Sequence, residues 1–318
     1  MSESIAAVVV TYQRKELLVE CLLGILKQSK PVNSIYLIDN DSRDGTPDFL
    51  KVHNFLESLP PVQGTLWESK TKLFNSYCIL NFVRLAENTG GAGGFHEGVK
   101  RAYESGFQWI WLLDDDVEPE KFCLENLLSF QDVSKCIHPQ KILPDGKLLN
   151  WEGYISPVTG RRIFQNNPSF ERGFQFSCTN AGNFEGMLIH RDIVKEIGYP
   201  DPRFFMVSDD SVYGFLAHFH TPVLYANKPR IFKKIYLPWF PVSDRFLYYS
   251  MRNYFLRNSY LNLKYKKYKA IRYLFIFVFF LNYFIRILTL GGDKKNKHLL
   301  ILFRGFKDGF LGKFGRVL

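Results

Sequence analysis

Apolar and polar positions alternate in blocks along the first part of the chain. The apolar, β-branched run Ile5–Val10 ends in a polar turn, and apolar residues then recur with helical spacing as far as Leu26. A second apolar run, Ile35–Ile38, stops at an Asp-Asn-Asp-Ser segment, whose side chains favour turns and helix caps. This pattern predicts two successive strand–loop–helix units.

Two more strands follow, and each leads into a polar or glycine-rich segment. Asn81–Leu85 precedes a glycine-rich loop, and Trp109–Leu113 precedes three acidic residues. The segment after the glycines is helix-compatible as far as Gly106. Strands that alternate with helices predict an α/β fold with a mainly parallel sheet and flanking helices. Ligands of such sheets bind at the carboxyl ends of the strands. The polar side chains expected at these ends are Thr11, Asp39, Asn88 and Asp114.

The remaining sequence divides at about residue 245. Pro, Gly and Asn residues predict mixed structure with hairpins from Pro119 to about Arg203, whereas the chain from Phe246 is helical, aromatic and basic. We therefore expect two domains, residues 1–245 and residues 246–318. The net charge of +10 is uneven, because Lys228–Leu318 has 20 Lys/Arg against 3 Asp/Glu, a net of +17, which leaves −7 for the rest.

The cysteines and the N-terminus favour a reducing, cytoplasmic location. The five cysteines are scattered and no pair has CxxC spacing, so neither a disulfide framework nor a zinc site is predicted. The apolar run at Ile5 lacks the preceding basic stretch and the length of a signal peptide.

The sharpest chemical signal is the triplet Asp114-Asp115-Asp116 at a strand end. Adjacent carboxylates repel one another and therefore favour a bound cation, and oxygen ligands suit Mn²⁺ or Mg²⁺. Because alternate side chains of an extended segment share a face, Asp114 and Asp116 are the predicted metal ligands, and Asp115 points elsewhere. The alternative is a solvated acidic turn.

Two further segments have candidate roles in binding and catalysis. The glycines from Gly90 to Gly94 would let the backbone approach a phosphate or sugar closely, although such a run can also be a flexible linker. The pair Asp209-Asp210 lies in an apolar, aromatic stretch, where a carboxylate could act as a general base. The alternative is that Ser208 or Asp209 simply caps a helix.

Taken together, these segments resemble the family 2 glycosyltransferases of the GT-A fold. The resemblance rests on Val8–Tyr12, Ile38–Ser42, Asn88–Phe95, Trp111–Asp116 and Asp209–Gly214, and it covers roughly residues 5–260. Within the family, the chain is similar to the galactofuranosyltransferase branch, with rhamnosyltransferases as near neighbours.

The resemblance implies a function and a set of roles for individual residues. It implies inverting transfer of a sugar, galactofuranose from UDP-galactofuranose or rhamnose from dTDP-rhamnose, to a hydroxyl of a glycan in bacterial surface polysaccharide synthesis. Asp210 would be the base, and Asp209 would bind substrate beside it. The residues assigned to the nucleotide or the donor are Thr11, Arg14, Asp39, Asn88, Gly90, Gly91 and Asp115, and the metal ligands are Asp114 and Asp116.

Two positions depart from the family pattern. Lys233 stands where the family usually has a metal-binding His, and an ammonium group cannot ligate a metal ion. His218 or His220 could substitute for it. Ser208 stands where galactofuranosyltransferases tend to have Trp, which leaves the sugar less certain.

The basic C-terminal region predicts contact with a membrane. It begins with a Tyr-Tyr-x-x-Arg-Asn motif that also resembles the family, in which Arg252 would contact a diphosphate or form an interhelix salt bridge. The apolar stretch Tyr273–Leu281 is followed by Asn282 and Arg286, so we expect it to lie in the membrane interface rather than to span. A lipid-linked glycan acceptor and a peripheral location on the inner face of the membrane would follow.

Two other classes of function are possible for a basic, aromatic chain. A nucleic-acid-binding protein would leave the acidic triplet unexplained, so no nucleic acid partner is expected. A non-catalytic scaffold of the same family is the second alternative, and Lys233 is the residue that favours it.

Overall fold

The structure is a computed structural model that describes residues 3–61, 64–73, 78–149, 153–164, 168–235 and 243–317. The strands in these residues are β1 Ile5–Thr11, β2 Ser34–Asp39, β3 Trp67–Lys72, β4 Ile79–Arg84, β5 Trp109–Asp114, β6 Val117–Pro119, β7 Cys136–Ile142, β8 Gly153–Ile155, β9 Arg162–Phe164, β10 Phe176–Thr179, β11 Met187–His190 and β12 Val223–Lys233. The α-helices are α1 Lys15–Leu26, α2 Thr46–Val52, α3 Gly90–Glu104, α4 Cys123–Leu128, α5 Pro168–Glu171, α6 Arg191–Ile197, α7 Asp209–Ala217, α8 Asp244–Lys264, α9 Lys269–Leu290 and α10 Lys295–Phe310.

One large sheet forms the centre of the α/β part and confirms the predicted fold class. Its strands run in the order β10-β12-β7-β11-β5-β1-β2-β4-β3, with β6 paired to β12. The neighbours β4, β2, β1 and β5 are parallel, as predicted. The sheet as a whole is mixed, because β3, β6, β10 and β11 pair antiparallel with their neighbours.

The register of the parallel strands places the carboxyl ends of β1, β2, β4 and β5 in one row. Thr11 is paired with Asp39, Asp39 with Arg84, and Val10 with Asp114. The side chain at the end of β4 is therefore Arg84, whereas Asn88 lies four residues later, in the turn before α3. Apolar residues cover both faces of the parallel strands β1, β2, β4 and β5, so these four strands are almost completely buried.

The glycine run is part of a helix, not the loop expected from the sequence. Helix α3 starts at Gly90, and the glycines allow it to pack tightly against β1. A Cβ on Gly94 would clash with Val10, and one on Gly98 would collide with Val8. Close packing against the sheet therefore accounts for glycines at these two positions.

Helices α8, α9 and α10 pack together through a separate apolar cluster. Helix α9 is continuous through Asn282 and Arg286, so the apolar stretch Tyr273–Leu281 is part of a longer helix. Within the described part of the chain, one stretch, Lys266–Leu290, is long and apolar enough to cross a membrane by length and composition alone. Only 22% of the most apolar 18 residues in this stretch is buried against the protein.

Candidate functional site

Three carboxylates meet at the carboxyl end of β5. Ligand oxygens of Asp114, Asp116 and Glu185 all lie within 4.8 Å of one another, and we call these residues the acidic cluster. Glu185 was not anticipated from the sequence. It directly precedes β11, whose antiparallel pairing of Met187 with Leu112 brings it opposite the end of β5. Three hard oxygen donors at this spacing could hold a divalent cation.

Two lysines already provide positive charge to the acidic cluster. The Nζ atom of Lys233 lies 2.5 Å from Glu185 Oε1 and 3.2 Å from Asp116 Oδ1. Lys141, which is fully buried on β7, lies 3.5 Å from Glu185 Oε2. Lys233 therefore contacts two of the three carboxylates, Asp116 and Glu185, whose oxygens a metal ion would also use.

Burial and these charges shift the pKa values of the cluster in different directions. Burial, reinforced by the negative charges of Glu185 and Asp116, raises the pKa of Asp114 well above its usual value. Burial would also raise the pKa of Glu185, but Lys141 and Lys233 outweigh it, and the net shift is downward. In Lys233 the neighbouring carboxylates outweigh burial and raise the pKa, so its ammonium group stays charged.

Asp115 points away from the acidic cluster, as the alternation of side chains predicts. Its Oδ2 atom accepts a hydrogen bond from the Thr11 hydroxyl at 2.8 Å and one from the backbone N–H of Tyr12 at 3.3 Å. Arg14 Nη1 lies 3.1 Å from Asp115 Oδ1 and 3.1 Å from Asp116 Oδ2. Burial raises the pKa of Asp115 to about 6, although Arg14 opposes the shift. Thr11, Arg14 and Asp115 thus form one network beside the cluster.

Asp39 offers an unsatisfied acceptor in the same row of strand ends. Its Oδ1 atom accepts the backbone N–H of Ser42 at 3.0 Å, whereas Oδ2 is buried without a hydrogen-bond partner among the described residues. The nearest cation is Arg84, whose Nε lies 4.0 Å from Oδ2 and whose Nη2 donates to Asp41. Burial raises the pKa of Asp39. A ligand N–H would satisfy this oxygen.

The start of α3 lies beside the same row of strand ends, because the Asn40 side chain after β2 bonds to the backbone of Thr89 and Gly90. Asn88 Oδ1 accepts the backbone N–H of Gly90 at 2.8 Å, and Gly90 has a positive φ of 74°. A Cβ at Gly90 would collide with the carbonyl oxygen of Phe205, so packing alone requires glycine there. Gly91 has open space around its Cα, which leaves room for a ligand to approach the backbone.

The Asp209-Asp210 pair forms the first turn of α7. Asp209 is buried, and burial together with the negative charge of Asp210 raises its pKa to about 8. Asp210 is partly exposed, and its Oδ1 atom accepts hydrogen bonds from the Ser211 backbone N–H at 2.6 Å and from the Ser211 hydroxyl at 3.1 Å. Ser208 precedes the helix but makes no side-chain capping bond, so the simple capping explanation does not hold for Ser208.

A strained loop leads into this helix and is held by α8. Phe205, Val207 and Ser208 have φ values of 63°, 69° and 75°, which non-glycine residues rarely adopt. The Asn253 amide donates to the carbonyl oxygens of Phe204, Met206 and Val207 at 3.0, 2.6 and 2.9 Å. These three bonds fix the backbone just before the aspartate pair.

Arg252 and the two histidines do not belong to the acidic cluster. Arg252 is fully buried and donates to the backbone carbonyls of Arg203, Phe204 and Gly315 and to the side chain of Asn253. Among the described residues Arg252 forms no salt bridge, so these bonds differ from the interhelix salt bridge expected as the alternative to a diphosphate contact. His218 and His220 are exposed at the far end of α7, and neither belongs to the acidic cluster.

Comparisons with known proteins match most of the α/β part. A family model described as "Glycosyl transferase family 2" matches residues 6–62 and 65–198. The galactofuranosyltransferase GlfT1 of Mycolicibacterium smegmatis is 29% identical over 221 residues, 66% of this chain and 63% of that protein. The protein of the same name from Mycobacterium tuberculosis is 26% identical over 223 residues with the same coverage. The chain thus spans about 63% of the length of these curated relatives.

Solved structures share the GT-A fold with this chain. The S. aureus protein TarS 1-349 in complex with UDP-GlcNAc has a TM-score of 0.57 and 15% identity, over 96% of this chain and 81% of that one. GalNAc-T7 with UDP, GalNAc and Mn²⁺ has the same TM-score and identity, over 86% of this chain and 54% of that one. At these identities the likeness concerns the fold alone.

Proposed function

The chain belongs to glycosyltransferase family 2, and from this premise we propose that it transfers a sugar from a nucleotide diphosphate to a hydroxyl group of a glycan, with inversion. The proposed donor is UDP-galactofuranose, because the curated relatives named above are galactofuranosyltransferases. The acidic cluster, the Thr11–Arg14–Asp115 network and the open acceptor oxygen of Asp39 would form the donor side of the site.

The observation that carries the proposal is the contact between the loop that carries Glu185 and the helix turn that carries Asp209 and Asp210. The loop that ends in Glu185 also packs against the first turn of α7, since a Cβ on Gly182 would lie 2.9 Å from the backbone oxygen of Asp210. One loop therefore connects the acidic cluster to the Asp209-Asp210 turn, and we infer that the two border one substrate site. A transferase needs this arrangement, because the leaving diphosphate and the general base act at opposite sides of one sugar carbon.

The donor atoms of the acidic cluster fit a divalent ion, and we propose Mn²⁺ or Mg²⁺. Asp114 and Asp116 would hold the ion, and Glu185 would support it. The bound ion would neutralise charge that develops on the leaving diphosphate. Lys233 and Arg14 supply fixed positive charge to the same side of the site.

The environments of the two aspartates suggest separate roles. With a pKa of about 8, Asp209 keeps its proton at neutral pH and can donate a hydrogen bond. Asp210 is partly exposed and is oriented by Ser211, so it is the carboxylate that can reach an acceptor hydroxyl and take its proton.

We also propose that the enzyme works on the inner surface of a bacterial membrane with a lipid-linked acceptor. Helix α9 has one apolar stripe that packs on the protein and a second that faces outward. The exposed apolar residues on α9 and α10 include Leu274, Phe277, Leu281, Ile285, Leu288, Leu300, Phe303 and Phe310. Exposed lysines lie at the α8–α9 junction, among them Lys264, Lys266 and Lys267. An apolar face with basic ends favours anionic lipid.

Asp210→Asn tests the proposed role of the base. UDP-galactofuranose should raise the melting temperature of the wild type in the presence of Mn²⁺, since a ligand that binds the folded state stabilises it. Asp210→Asn should retain this shift but lower the rate of transfer about 100-fold or more. Asp192→Asn, on exposed α6, is the control and should behave as the wild type. Stabilisation by dTDP-rhamnose instead would change the assigned donor, and full turnover in Asp210→Asn would remove Asp210 from the mechanism.

A further inference from the structure

Arg257 is a partly buried cation without an anionic partner in the described residues. Its guanidinium carbon lies 4.2 Å from the centre of the Tyr254 ring, and its Nε atom is shielded from solvent without a hydrogen-bond partner there. Its charged neighbour is another cation, Arg162, and burial together with that positive charge lowers the pKa of Arg257. A guanidinium that is removed from water without a carboxylate is costly, so a ligand anion would be stabilising.

A second unsatisfied side chain lies next to Arg257. Asn258 is 1% exposed, and neither its oxygen nor its nitrogen has a hydrogen-bond partner among the described residues. It faces the turn of the β8–β9 hairpin, because a Cβ on Gly160 would lie 2.5 Å from Asn258 Oδ1. Tyr254, on the same helix, donates to the carbonyl oxygen of Thr159 in that turn at 3.1 Å. The Arg257 Nε atom and the Asn258 amide, which both lack a hydrogen-bond partner among the described residues, thus lie where α8 meets this hairpin.

This junction lies beside the proposed base. Arg162, the first residue of β9, donates through Nη1 to the Ser211 hydroxyl at 2.8 Å, and that hydroxyl donates to Asp210. From the other side, Arg257 is one helical turn beyond Asn253, which holds the loop that precedes Asp209. The two arginines therefore flank the start of α7, on the acceptor side of the site.

The same junction also contacts the helix with the outward apolar stripe. Arg272 of α9 is fully buried and donates to the carbonyl oxygen of Pro157, at the start of the hairpin turn, at 2.5 Å. The hairpin that carries Arg162 thus contacts both Ser211, beside Asp210, and α9. An acceptor that joins a sugar to a lipid through a diphosphate would place its phosphates between Asp210 and α9.

We propose that Arg162, Arg257 and Asn258 form a binding site for the diphosphate that links the acceptor glycan to its lipid. Guanidinium groups bind phosphate oxygens through paired hydrogen bonds, and the Asn258 amide adds another donor. This site rests on the proposed function and extends it, because it is separate from the donor diphosphate at the acidic cluster. It would recognise the acceptor by its charged linker rather than by its sugars.

Binding of geranyl diphosphate to the full chain saturated with UDP tests the proposal. The UDP occupies the donor side, so titration with the lipid diphosphate reports on the second site. Arg257→Gln should weaken this binding about 10-fold or more, and Arg257→Lys should weaken it less. Arg245→Gln, an exposed arginine on the same helix, should leave it unchanged. UDP affinity should be the same in all four proteins.

Different outcomes separate the parts of the proposal. Equal affinity of the wild type and Arg257→Gln for geranyl diphosphate would overturn the site, and so would equally tight binding of geraniol. If inorganic pyrophosphate bound as tightly as geranyl diphosphate, and depended equally on Arg257, the lipid assignment would be wrong. Failure of the wild type to bind UDP at all would instead contradict the proposed transferase function. If Arg257→Gln did not fold, Arg257→Lys and Arg162→Gln would provide the comparison.

Discussion

At the scale of single residues, Lys233 changes the chemistry of the acidic cluster most. Its ammonium group contacts Asp116 and Glu185, two of the three carboxylates that could hold a divalent ion. An ammonium group and a metal ion compete for the same oxygens. We therefore expect a divalent ion to bind weakly until a nucleotide diphosphate adds its own oxygens.

Lys233→Met should raise the affinity for Mn²⁺ about 10-fold or more in the absence of nucleotide. The same change leaves Asp116 and Glu185 without a main counter-charge, so the melting temperature should fall without Mn²⁺ and recover when Mn²⁺ is added. Calorimetric titration and thermal melts measure the two effects.

The neighbouring lysine provides a matched control for this experiment. Lys234 pairs with Glu20 and Glu118 outside the acidic cluster, so Lys234→Met should not change Mn²⁺ affinity. If Lys233→Met bound Mn²⁺ no more tightly than the wild type, competition by the ammonium group would be excluded.

At the scale of elements, the position of the proposed base depends on the contact between α8 and the loop before α7. Each residue held at positive φ costs about 1–3 kcal/mol, so the loop would relax without external bonds. Asn253 supplies three of these bonds and Arg252 supplies one more, to Phe204. The Arg-Asn pair of the Tyr-Tyr-x-x-Arg-Asn motif therefore holds the backbone next to Asp209 and Asp210, the second of which is the proposed base.

Asn253→Ala should lower the rate of transfer more than it lowers donor binding. Removal of one buried amide leaves three carbonyl oxygens without this donor, so unfolding free energy should also fall, by about 1–3 kcal/mol. We expect at least a 10-fold loss in kcat with UDP affinity within about twofold of the wild type. Asn296→Ala, exposed on α10, is the control. A stability loss with unchanged kcat would make Asn253 a purely structural residue.

The sequence predicts elements whose signals are local and misses residues whose roles depend on pairing. The strands before Thr11, Asp39 and Asp114 are continuous apolar runs, which is why their ends could be predicted. Glu185 resembles an ordinary turn residue, and only the antiparallel register of β11 with β5 brings it to the cluster. Arg84 was missed because it lies within a strand.

The glycines show how tertiary packing overrides local propensity. Glycine disfavours helix by about 1 kcal/mol relative to alanine, so a glycine run predicts a loop. In α3 the close approach to β1 at Gly94 and Gly98 outweighs this preference, because no side chain fits there. Such compensation cannot be read from one segment of sequence.

At the scale of the whole molecule, the two parts of the chain differ in net charge and in exposed apolar surface. The part before Lys228 has a net charge of −7 and contains the acidic cluster, whereas the part from Lys228 onward is +17 and contains the exposed apolar stripe. On α9 the inward stripe packs in the C-terminal apolar cluster through Ile276, Phe280 and Ile287. Deletion of this region would expose that cluster, so substitutions on the outward stripe are the sharper probe of membrane binding.

Leu274→Ser combined with Phe277→Ser should release the protein from anionic liposomes. The two side chains are 59% and 49% exposed, so the change removes apolar area without opening the core. Loss of roughly 2–3 kcal/mol of burial in lipid corresponds to about a 30- to 150-fold weaker partition, measured by co-sedimentation. Leu66→Ser, exposed on the α/β part, is the control. Salt should weaken wild-type binding because lysine contacts with headgroups are screened. Full retention of the double variant on vesicles would show that this stripe does not contact the membrane.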